Sequence, residues 1–96
     1  MDHELPAETR ARILAVATRH PQVRQVHELR TRSSGAQKFI QMHVVLDGGL
    51  TLLDAHGICD GIECTLAAEF RGADIIIHAG PAGVSERNAP VGSALG

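Results

Sequence analysis

Ala73-Asp74-Ile75-Ile76-Ile77-His78-Ala79-Gly80-Pro81 is the stretch on which the reading of this 96-residue chain turns. Three consecutive isoleucines, apolar and β-branched, favour a strand and call for burial in the middle of a sheet. A histidine follows where the strand runs out. Arg71-Gly72 in front of it closes a helix, with Gly72 at the left-handed cap position. That helix is expected from Leu52 to Phe70, opened by Thr51 with Asp54 three residues later in the manner of a capping box. Ala55, Ile58, Ile62, Leu66 and Phe70 make its core face, and His56, Asp60 and Glu63 a polar ridge beside it. Gly57, Gly61, Cys64 and Ala68 form a stripe of small residues on the far side. The two glycines cost the helix about 1 kcal/mol each relative to alanine.

Further back, Asp47-Gly48-Gly49 reads as a turn, and Phe39 to Leu46 as a strand with strict alternation. Ile40, Met42, Val44 and Leu46 face one way, and Phe39, Gln41, His43 and Val45 the other. Val23 to Thr31 forms its hairpin partner through the turn Arg32-Ser33-Ser34-Gly35. A hairpin symmetric about Gly35 sets His27 opposite His43, with Cβ atoms ~4.5–5.5 Å apart and both rings within reach of one ion. The same register puts Arg30 opposite Ile40 on the apolar face, which a bulge would repair. Ala7 to Arg19 is a helix entered through Pro6, with Ile13, Leu14 and Ala17 inward, and His20-Pro21 ends it. The order is α-β-β-α-β. It predicts an α+β, ferredoxin-like sandwich over residues 1–81, with two helices on one face of a three-stranded sheet. Residues 82–96, small and polar, read as a flexible tail. The other sheet face is left open, and an open face in a small protein usually has a partner.

Composition narrows the function. Phe39 and Phe70 are the only aromatics, so the core is aliphatic and there is no platform for stacking bases or sugars. A formal charge of −2 argues against nucleic acid, which needs a concentrated basic surface. Cys59 and Cys64, five apart on one helix, point in different directions and fit a reducing compartment better than a disulfide. No apolar stretch approaches the ~18–20 residues of a membrane span, and no signal peptide is visible, so the chain as given reads as soluble.

A single histidine is ordinarily a hydrogen-bonded or surface residue, and His3, in the leading segment, and His20, at a helix end, are read so. His27, His43, His56 and His78 differ as a set, because each lies on a separate element meeting the sheet. Neutral imidazoles together with carboxylates suit zinc or a similar first-row ion, although His56 with Asp60 also reads as a plain helix-surface pair. No HExxH or paired CxxC motif accompanies them, so four unrelated structural histidines remain the competing reading. A His56–Cys59 nucleophile pair lacks an orienting group and an oxyanion hole, and Cys59 reads as a small buried hydrophobe. No glycine-rich phosphate loop is present. An enzyme is the least supported class, for want of an assembled acid, base and electrophile.

The run Val26-His27-Glu28-Leu29-Arg30-Thr31-Arg32, with Ser34-Gly35, Phe39-Ile40-Gln41 and His43, resembles the first hairpin of the cytoplasmic C-terminal domain of cation diffusion facilitator transporters. Ala55-His56, Asp60 and Ile75-Ile76-Ile77-His78 continue the resemblance in order, so that it covers about Leu5 to Pro81. The opening MDHELP is similar to the linker after the last membrane helix of these proteins, which would make Met1 internal to a longer chain. The resemblance implies a metallochaperone-like fold, a homodimer on the cytoplasmic face of the cell membrane, and attachment to a transmembrane domain absent from this chain. It implies regulatory binding of Zn²⁺ or of another divalent metal (Fe²⁺, Mn²⁺ or Cd²⁺), with ligands at His27, His43, His56 and His78. The bacterial zinc exporters that the chain resembles carry an aspartate where Gly80 stands. A mononuclear or weaker site, or recruitment of Asp60, Glu63 or water, is therefore expected here. The alternatives are a structural dimerisation domain that no longer binds metal, and a free-standing metallochaperone-like carrier.

Overall fold

A computed structural model describes residues 2–81, and the tail expected over residues 82–96 lies outside them. The elements are β1 (Asp2–His3), α1 (Ala7–Ala17), β2 (Val23–Ser34), β3 (Gln37–Leu46), α2 (Leu52–Glu69) and β4 (Asp74–Pro81). The predicted α-β-β-α-β order holds, with the two-residue β1 as an addition that pairs with the far end of β2. The sheet runs β1-β2-β3-β4, antiparallel except for the parallel pair β3–β4. Parallel pairing needs a crossover of a dozen residues or more, and α2 supplies it.

Thr51 caps α2 as its sequence suggests, its hydroxyl accepting from the Asp54 amide at 3.0 Å. Gly72 takes its left-handed conformation (φ 81°) between α2 and β4. The core is aliphatic. Ile40, Met42, Val44 and Leu46 of β3 pack with Ile13, Val16 and Ala17 of α1 and Ile62 and Leu66 of α2. On α1 it is Val16 that is buried, while Leu14 is 38% exposed, so the inward stripe is 13, 16 and 17 rather than 13, 14 and 17. Arg12 clamps the helix layer from outside with a hydrogen-bonded ion pair to Glu69. This holds the Glu69 carboxyl below the usual carboxylate range, and the Arg12 guanidinium is raised in turn.

The isoleucine strand is placed differently from its sequence reading. Among the described residues β4 is an edge strand, and β3 is the one flanked and covered. Ile75 and Ile77 point into the helix layer, whereas Ile76 turns the other way and is 51% exposed. Three apolar residues in a row cannot share one side of a pleated strand.

Candidate metal centre

Strand pairing brings three of the four candidate histidines into register. His27 lies directly opposite His43 across β2 and β3, and His43 directly opposite His78 across β3 and β4. Three imidazoles from distant parts of the chain thus form one row across the sheet, on the face without helices. Flanking rows on that face are Gln25, Val45 and Gly80 on one side and Arg30, Gln41 and Ile76 on the other. Beyond these, the Arg32 guanidinium sits over the Phe39 ring, 4.9 Å from its centroid.

The register needs a bulge. Near the turn Ser34 pairs with Gln37 and Arg30 with Gln41; from His27 to Gln25 the pairing is shifted by one, and a second irregularity follows before Val23. Glu28 and Leu29 together oppose Met42, and Glu28 takes φ 54°, a left-handed conformation unusual for a residue with a side chain. The bulge places Arg30 beside Gln41 on the open face and Thr31 beside Ile40 on the covered one. The predicted clash of Arg30 with Ile40 is removed while His27 stays opposite His43.

His56 and Asp60 do not join the row. They lie on α2, in the layer behind the sheet, where His56 Nε2 stands 3.2 Å from Asp60 Oδ2. Both are exposed. Cys59 beside them is partly buried, and burial pushes its thiol pKa up, away from reactivity. His20 Nδ1 accepts from the Gln22 amide at 3.0 Å within its turn.

Among the described residues, no three His, Cys, Asp or Glu groups stand close enough to hold one ion as placed. The donor set is of the type that suits a borderline metal, and neighbouring strands ≈4.7–4.9 Å apart keep adjacent imidazoles near one another. Gly80 matters here. A Cβ at that position would lie 3.2 Å from His43 Nε2, so the ring leans over β4 backbone that carries no side chain.

A sequence model of the cation efflux protein cytoplasmic domain matches residues 5–82. The chain belongs to the cation efflux, or cation diffusion facilitator, family and corresponds to its cytoplasmic domain. It is 42% identical over 84 residues to the cation-efflux pump FieF of Klebsiella pneumoniae, covering 88% of this chain and 28% of that protein. The fold matches the zinc form of CzrB (TM-score 0.73, 37% identity, 91% of this chain and 100% of that one). It also matches the metal-bound C-terminal domain of the CzcD transporter from Thermotoga maritima (TM-score 0.75, 31% identity, 82% and 93% covered). The family is one of cation transporters rather than an enzyme class.

Proposed function

We propose that this domain senses a divalent transition metal for an attached efflux transporter, through the imidazoles of His27, His43 and His78. The observation that carries the reading is the row these residues form on the helix-free face. Metal-bound relatives of the same fold support it. Two or three of the row would bind one ion, with zinc the best match to imidazole donors. His56 and Asp60 lie in the layer behind the sheet, so they reach such a site only from a second copy.

Pairing of two copies through the open face would complete the coordination and cover Ile76. Metal that favours the paired arrangement shifts the equilibrium by its differential affinity and no more. Without a side chain at position 80 to bridge two ions, a mononuclear site fits this chain. The transmembrane half that such closure would act on lies outside the chain, which spans 28% of its relative FieF.

Calorimetric titration with zinc tests the reading. Wild type binds, and His43→Ala loses roughly 100-fold in affinity, the order expected when one ligand of several is removed. Imidazole binds metal only when neutral, and its ordinary pKa is about 6.5, so affinity falls as pH drops from 7.5 to 5.5. Equal heats for wild type and His43→Ala would leave a structural pairing module.

A further inference from the structure

The row depends on absorbing one extra residue. Glu28 is held left-handed between two fixed points of β2. On one side, Val26 packs against the core opposite Val44 and His27 pairs with His43. On the other, Leu29 packs against the core and Thr31 is buried at 7% exposure. Nonglycine residues persist in this conformation only where the surroundings over-determine them.

The second fixed point is tied down by α1 and the leading segment. Arg10 donates to Thr31 Oγ1 at 3.2 Å through Nη1 and to the Leu29 carbonyl at 3.4 Å through Nη2. The same guanidinium pairs with Glu4 at 2.8 Å. The Leu5 amide donates to Thr31 Oγ1 at 3.2 Å, and the Leu5 side chain is in the core. β1 covers only Ser33 and Ser34 on the outer side of β2, so Arg10 serves the strand where no neighbouring strand does.

We propose that Arg10 is a positioning residue for His27. It braces β2 at Leu29 and Thr31, so that the surplus residue is confined to Glu28 and His27 is kept opposite His43. Without the brace the bulge spreads or migrates. A one-residue slip of the ladder turns His27 toward the helices, because side chains alternate with period two. Strand pairing predicts a specific rescue. With Glu28 deleted, Leu29 pairs with Met42, His27 with His43 and Val26 with Val44 in a ladder that runs unbroken from Gln25 to Ser34 and needs no brace.

This inference rests on His27 as a metal ligand only in its second arm. In the first, metal-free protein is studied by NMR: cross-strand nuclear Overhauser effects between His27 and His43 are strong in wild type, weak in Arg10→Ala, and restored when Glu28 is also deleted. In the second, zinc affinity falls about tenfold in Arg10→Ala and recovers in the double variant, as expected for loss of a charged hydrogen bond. A merely stabilising arginine would not be rescued by removing a residue on another element. Unchanged cross-strand effects in Arg10→Ala, or no recovery on deleting Glu28, would overturn the proposal. Should Arg10→Ala fail to fold, Arg10→Lys, which keeps the charge but loses the two-pronged contact, carries the same comparison. Absence of zinc binding by wild type would sink the metal reading, and the metal-free arm would still decide this one.

Discussion

The two faces of the sheet follow opposite rules. On the covered face, β3 contributes Ile40, Met42 and Val44 at 0–1% exposure, and Leu66 of α2 meets them at 0%. On the open face, one row carries three imidazoles, its neighbours carry Arg30, Gln25 and Gln41, and Ile76 stands half exposed. The first face spends its side chains on burial and holds the fold together. The second presents donor atoms on a scaffold already made rigid from behind. Imidazoles can occupy the second because the first does not depend on them.

The largest expected effect lies on the covered face. Leu66→Ala leaves a cavity among fully buried neighbours and lowers unfolding free energy by about 2–5 kcal/mol in urea titration, with or without metal. On the open face Ile76→Asp costs the single chain about 1 kcal/mol or less, since the side chain is 51% exposed. Its effect falls on association: sedimentation equilibrium shows a shift toward monomer if this face meets a second copy, and an unchanged distribution would remove the open face as the seam.

The smallest effect sits outside both faces, on the helix layer. The Arg12 contact depresses the Glu69 pKa, so its stabilisation is present at neutral pH and is lost as pH falls through the folded-state value. Glu69→Gln is thus slightly less stable than wild type at pH 7, and the two thermal midpoints converge in acid.

The covered face was legible because burial writes a period into the chain. The alternation of Phe39 to Leu46 and the stripe from Ala55 to Phe70 identify strand, helix and inward side chains together. The His27–His43 pairing followed from the turn at Gly35, and the need for a bulge was visible in the position of Arg30. Its location was not, since the contacts that flank it, Arg10 and Leu5 meeting Thr31, join residues far apart in the chain. Ile76 misled for the opposite reason: three isoleucines in a row say that a strand is apolar, but not whether anything lies along its outer edge. For His56 and Asp60, helical spacing placed them on one ridge, and nothing in spacing says which side of a sheet that ridge will occupy.

Glycine at position 80 has a consequence for how the donor set can change. Any side chain introduced there begins 3.2 Å from the ring nitrogen of His43, close enough to push the imidazole aside by a few tenths of an ångström. A larger residue at position 80 would therefore act first as a wedge, resetting where the His43 ring rests against β4. Position 80 thus governs the orientation of the central imidazole of the row before any donor of its own comes into play.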